Sequence, residues 1–278
     1  MEDTTFAAFT PSTKVDAAVP ILLFQSGYGS TSKSHAPLMQ AIADAGFVCV
    51  IPDREGDTKG GKESAGKLLA GLATGTPASE HNAMSTDGTH LVAALAWCRG
   101  REEVEGQAID VTKVAVGGFS MGCVEAIMAT AACAADVKAT VIISPSTGTM
   151  LEKAYVFSQE DLLAKVSAFS CPSLYITSDK DFALSNAKDL YAVAKAPASI
   201  VVFKDEVLDN SMALSEETST WSAAIDELLP GLRQHFALAA ERGLVSDAPI
   251  LAFLNQHLKG AANAPLASAA SVAEVETK

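Results

Sequence analysis

The segment Val114-Ala-Val-Gly-Gly-Phe-Ser-Met-Gly-Cys123 restricts this chain more than any other. An apolar, β-rich run ends in Gly118-Phe-Ser-Met-Gly122, and a helical pattern from Met121 to Ala134 starts at once. A chain that turns from strand to helix within two residues brings both backbones close to the turn residue. Glycines two places before and after that residue let them pass. The serine then stands exposed at the end of a strand, where a nucleophile is useful. A G-x-S-x-G pentapeptide alone is a weak signal, because glycine-rich chains produce it by chance; the flanking strand and helix give it meaning. The plainer reading, in which Ser120 only caps the helix, has to be weighed against the other loops.

Apolar β-rich runs and helical patterns alternate along the rest of the chain. Strands are expected at Val19–Phe24, Phe47–Ile51, Val111–Val116, Ala139–Ile143, Ser173–Thr177 and Ser199–Phe203. Helices are expected at Pro37–Ala45, Thr86–Arg99, Met121–Ala134, Ala223–Glu241 (interrupted at Pro230-Gly231) and Ala248–Leu258. This order predicts an α/β fold, a mostly parallel sheet with helices on both faces and functional loops at the carboxyl ends of the strands. No internal repeat or linker divides residues 1–260, so one domain is expected. Residues 54–85 are polar and rich in Gly, Ser, Thr and Lys, with a short helical candidate at Ser64–Leu72. They read as an insertion, expected to pack as a lid near Ser120. Residues 261–278, rich in alanine and ending in acids, are expected to form a mobile tail.

Composition removes several function classes. A net charge of −13 argues against a nucleic-acid binder, which needs a basic face. With 49% hydrophobic and 19% charged residues the chain is not disordered. Mean hydropathy is +0.22, yet no apolar run approaches the roughly 18 residues of a membrane span. Acids near the N-terminus and the lack of an apolar stretch after it point to a cytoplasmic location. Cys49, Cys98, Cys123, Cys133 and Cys171 are scattered among apolar neighbours without a C-x-x-C pair, so they read as buried thiols and no metal site is expected. Gly60-Gly-Lys62 lacks the upstream glycine of a phosphate loop, and Gly27-Tyr-Gly29 lacks the third glycine of a dinucleotide fingerprint. No cofactor is expected.

The loop Phe24-Gln-Ser-Gly-Tyr-Gly-Ser30 follows the first buried strand. A glycine-rich turn there can aim free N–H groups at a developing oxyanion, which would be held by the amide of Met121 and one near Tyr28. Gly27-Tyr-Gly29, then Ala45-Gly-Phe-Val-Cys-Val-Ile-Pro-Asp53, then the serine pentapeptide together resemble the α/β-hydrolase fold. Within that fold the sequence is most similar to cutinase-like polyester hydrolases, dienelactone hydrolases and chlorophyllases. The likeness runs over roughly residues 18 to 260 in element order and is motif-specific around Gly27–Tyr28, Ser120 and one later loop. It implies that Ser120 is the nucleophile and that the triad acid lies in Ser173-Leu-Tyr-Ile-Thr-Ser-Asp-Lys-Asp-Phe-Ala183, as Asp181 or, second, Asp179.

The resemblance also implies a histidine in the loop after Ser199–Lys204. That loop reads Asp205-Glu-Val-Leu-Asp-Asn-Ser-Met-Ala213, and Asn210 occupies the place. An amide has no lone pair basic enough to take the serine proton near neutral pH. Of the five histidines, His35 reads as a helix-start residue, and His90 lies on a helix leading away from the active end. His235 and His257 read as solvent-facing, and His81, in the insertion, is the candidate substitute base. Two functions follow. One is a serine hydrolase for a small carboxylic ester or thioester. The other is an inactive scaffold, a binding or structural subunit with a protein partner.

Overall fold

The computed structural model describes residues 5–27, 30–53, 87–147, 158–204, 247–263, 265–266 and 272–278. The strands are β1 (Thr5–Phe9), β2 (Val19–Gln25), β3 (Val48–Asp53), β4 (Glu103–Val104), β5 (Gln107–Phe119), β6 (Val137–Ile143), β7 (Ser173–Ser178), β8 (Ala198–Phe203) and β9 (Val272–Thr277). The helices are α1 (Ala36–Asp44), α2 (Thr89–Arg99), α3 (Gly122–Ala132), α4 (Gln159–Ser167), α5 (Leu184–Val193) and α6 (Asp247–Lys259), with a 3₁₀ turn at Ser32–His35. The sheet runs β1-β3-β2-β5-β6-β7-β8-β9, with β4 folded back on β5. β2, β3, β5, β6, β7 and β8 are parallel, and the antiparallel partners are β1, β4 and β9. This is the expected mostly parallel α/β-hydrolase sheet.

Successive residues of each central strand enter opposite cores, which is why these strands read as unbroken apolar runs. Ile21, Leu23, Val114, Val116, Tyr175 and Ile200 pack on one face with Leu91, Val124, Ile127, Leu162 and Leu190 of α2 to α5. Leu22, Phe24, Ala115, Ile176, Val201 and Phe203 pack on the other with Leu38 and Ile42 of α1 and Phe253 and Leu254 of α6. Covering both faces leaves loop space at the carboxyl ends of the strands, where the chain after β2, β5, β6, β7 and β8 emerges.

Two differences from the sequence reading concern the edges. The tail expected to be mobile contributes β9: Val201 pairs with Val275, the backbones of Ala198 and Lys278 exchange hydrogen bonds of 3.0 and 2.9 Å, and Lys188 meets Glu274 at 2.7 Å. Its period-2 pattern, Val272-Ala-Glu-Val-Glu-Thr277, suits a strand with one covered edge, and its charges mark the outer edge of the sheet. Helix α2 begins at Thr89 rather than Thr86, with Asp87 accepting from the Thr89 amide (3.0 Å) and hydroxyl (2.7 Å). The expected lid at 54–85 and helix at 223–241 lie outside the described residues. Among the described residues, no helix is long and apolar enough to cross a membrane.

Candidate active site

Strand β5 delivers Ser120 to the carboxyl edge and leaves it in the left-handed region, at φ 54°. A non-glycine residue there costs ~1–3 kcal/mol and persists only where its surroundings enforce it. Here they do. The Ser120 amide donates to the Ile143 carbonyl (3.0 Å), and the Ser120 carbonyl accepts from the Cys123 amide (3.1 Å). The flanking glycines are required by close approach. A β-carbon on Gly118 would lie 2.3 Å from the Gly122 carbonyl oxygen, and one on Gly122 2.3 Å from that of Gln25. The Cys123 thiol, pushed up by burial, bonds the Gly118 and Ile143 carbonyls at 3.2 and 3.3 Å and braces the turn. All five cysteines are free, four of them buried.

The loop after β2 lies against this turn, since a β-carbon on Gly27 would sit 2.9 Å from Ser120 Cβ. Met121 is buried directly ahead of α3, and its amide makes no hydrogen bond among the described residues. A free N–H at a helix N-terminus is a donor suited to an anion. Further along, Asp53 at the end of β3 accepts from the Ser32 amide (3.1 Å) and hydroxyl (2.8 Å), tying the turn before α1 to the sheet. Tyr28, the other expected oxyanion donor, lies outside the described residues.

The loop after β7 separates the two candidate acids. Asp179 is exposed, whereas Asp181 is turned inward and 4% exposed. The Asp181 Oδ2 accepts from the hydroxyls of Ser144 (2.5 Å) and Thr177 (3.2 Å), and Oδ1 from the amide of Ala183 (2.9 Å). These donors come from three directions and fix the orientation of the carboxyl group. Ser144 also follows Ile143, the residue whose carbonyl receives the Ser120 amide. The structure thus gathers Ser120, Met121 and Asp181 at one edge of the sheet; Asn210 lies outside the described residues.

Sequence reasoning missed Ser146, whose Oγ is 3.1 Å from Ser120 Oγ, along with Ser144 and Thr177. The signal was a Ser-Pro-Ser-Thr run at the carboxyl end of an apolar strand, where buried hydroxyls need a reason. The described histidines are engaged elsewhere. His35 stands directly before α1 as expected, buried, its ring 5.2 Å from that of Phe24 and 5.6 Å from that of Phe119. His90 Nδ1 lies 3.1 Å from Glu125 Oε1. His257, expected to face solvent, is half-buried with its ring 4.6 Å from that of Phe253, and burial lowers its pKa. Its place on α6 over the second core explains the difference, because the apolar face of that helix includes the residue's neighbours Phe253, Leu254 and Leu258. None of these three bonds Ser120 Oγ. His81 and His235 lie outside the described residues.

Comparison with known proteins supplies the family. No curated protein matches the chain. Residues 6–233 match the family described as X-Pro dipeptidyl-peptidase (S15 family), whose members are serine peptidases with the α/β-hydrolase fold. The match supports the superfamily inferred from the motifs and a serine-hydrolase type of activity, but not the cutinase-like, dienelactone hydrolase or chlorophyllase subfamilies. Spanning β1 to β8 and the strained serine between β5 and α3, it establishes that this chain belongs to the S15 family of α/β-hydrolase-fold proteins.

Proposed function

We propose that this protein is a serine acyl hydrolase that cleaves a small carboxylic ester or thioester through a covalent acyl-enzyme on Ser120. The observation that carries the reading is the strained Ser120, φ 54°, ahead of a Met121 amide that has no hydrogen bond among the described residues, and beside the loop at Gly27. In this mechanism Ser120 Oγ attacks the carbonyl carbon as a neutral hydroxyl and forms a C–O bond as its proton passes to solvent water. The oxyanion is received by the Met121 amide and one near Tyr28. Collapse of the tetrahedral adduct expels the alcohol or thiol, which takes up the proton. Water then repeats the sequence and releases the acid. Asp181 is the triad acid, preferred to Asp179 because its carboxylate is buried and held by three donors.

The loop after β8, where the α/β-hydrolase base belongs, carries Asn210 in place of histidine. The oxyanion hole and binding alone leave ~10³–10⁴-fold catalysis over water in enzymes stripped of a triad member. Weak turnover of p-nitrophenyl acetate is therefore expected. Asn210→His raises it, by up to ~10²-fold, because general-base assistance is worth ~10²–10⁴. Cleavage of a peptide bond after an X-Pro dipeptide is a second reading, favoured by the family match.

Labelling with a fluorophosphonate tests the proposal, followed by turnover of p-nitrophenyl acetate and of an X-Pro p-nitroanilide. Stoichiometric labelling at Ser120 with ester turnover supports the reading. Turnover of the anilide alone moves it to the peptidase. No labelling would leave the inactive scaffold.

A further inference from the structure

The loop after β6, Ser144-Pro145-Ser146, touches both the nucleophile and the acid. Ser146 is 2% exposed and meets Ser120 twice: its Oγ lies 3.1 Å from Ser120 Oγ, and its amide donates to the Ser120 carbonyl at 3.2 Å. Two residues earlier, fully buried Ser144 donates its hydroxyl to Asp181 at 2.5 Å, and its amide donates to the Ile176 carbonyl of β7 at 2.8 Å. Between them, the Pro145 carbonyl accepts from Asn186 Nδ2 at 3.1 Å, from the first turn of the helix that follows the acid loop. Ser144 itself takes φ 47°, a second non-glycine residue in the left-handed region at this edge. That backbone costs free energy and is enforced by bonds on both sides.

We infer that Ser144–Ser146 is a bridge that sets the nucleophile and the acid relative to each other, with Ser146 a further catalytic residue and Ser144 a positioning residue acting through Asp181. The inference rests on the proposed role of Ser120. With Ser146 donating, one lone pair of Ser120 Oγ is held by the bridge, and the serine O–H is directed away from it. When Oγ attacks, the same donor compensates the charge that develops as the proton leaves, and Ser146 neither gains nor loses a proton. Ser144 does its work at a distance. Its hydrogen bond fixes one Asp181 oxygen, so the carboxylate presents a constant face to whatever group it orients.

The test compares fluorophosphonate labelling rates and p-nitrophenyl acetate kinetics for the wild-type protein, Ser146→Ala, Ser146→Thr, Ser144→Ala and Ser120→Ala, with urea unfolding of each. A hydrogen bond worth ~0.5–1.5 kcal/mol corresponds to about a two- to thirteenfold rate change. Ser146→Ala and Ser144→Ala are each expected to lower kcat and the labelling rate by that factor with KM nearly unchanged. Ser146→Thr, which keeps the hydroxyl, should recover most of the loss. A structural role alone would move the urea midpoint and leave the labelling rate of the folded fraction intact, which would overturn the bridge. Variants labelling at the wild-type rate would do the same while the hydrolase reading stands. An unlabelled wild-type protein would overturn the hydrolase reading and the bridge with it.

Discussion

The turn after β5 and the loop after β7 hold the two residues of this site by opposite means. Ser120 is placed locally: two glycines, one left-handed backbone conformation and an immediate helix leave the serine no other position. Asp181 is placed by its surroundings. The end of β7 supplies Thr177 and its own loop the Ala183 amide, while a 2.5 Å hydrogen bond comes from Ser144, 37 residues away in sequence, just past the end of the neighbouring strand β6. A serine at the end of a strand must project clear of the sheet, and the strained backbone sets that direction before the Ser146 hydroxyl meets it. An acid must be dry, ionised and aimed, which takes donors from more than one strand. Damage to the turn should therefore be all-or-none, and damage to the acid loop graded.

Ser120→Ala is the largest expected effect on chemistry: covalent labelling disappears and ester hydrolysis falls to no more than the oxyanion hole and binding alone support, read by mass spectrometry and by p-nitrophenol release. The turn itself breaks with Gly118→Ala or Gly122→Ala. Each β-carbon would lie 2.3 Å from a backbone carbonyl oxygen, so urea unfolding should show a loss of ~3 kcal/mol or more. Mild destabilisation in either variant would mean that the turn is less constrained than its geometry implies.

The acid loop should yield in steps. Asp181→Asn keeps the shape but removes the charge and mismatches a donor, so a loss of ~1–3 kcal/mol in stability is expected, with hydrolysis at least tenfold slower in the Asn210→His background, where there is an imidazole to orient. Thr177→Val deletes one hydroxyl donor to Asp181 and should cost ~1 kcal/mol by the same unfolding measurement. Asp179→Asn, at an exposed carboxylate, should change stability by less than ~0.5 kcal/mol and leave turnover as it was. If Asp179→Asn lost activity and Asp181→Asn kept it, the two aspartates would exchange roles and the contrast between the loops would fail.

Much of the fold was legible in the order of the residues. The central strands are buried on both faces, so their sequences are continuous apolar runs that no other element imitates at that length. Edge elements were harder to see. β1, with Phe6 and Phe9 separated by two alanines, and β9, with its alternating acids, are half-covered strands whose patterns are short. Helices α4 and α5 bury few side chains, Leu162 and Val166 in one and Ala187 and Leu190 in the other, so their apolar stripes are thin.

In the site, Ser120 and Met121 could be named from sequence because the elbow is a local device, written in five consecutive residues and the elements around them. Asp181 could be named only alongside Asp179. Two aspartates two residues apart in one loop look alike until the fold buries one of them beside Ser144 and Thr177 and leaves the other exposed. Ser146 had no local signal that tied it to Ser120, 26 residues earlier, because the contact exists only when β5 and β6 lie side by side in register. The sequence by itself determined the parallel sheet and the strained serine, since both rest on periodicity and on residues that are neighbours in the chain. Only the tertiary structure decided which carboxylate is dry and which hydroxyl meets Ser120, because burial and hydrogen bonding between strands depend on distances that no short stretch of chain encodes.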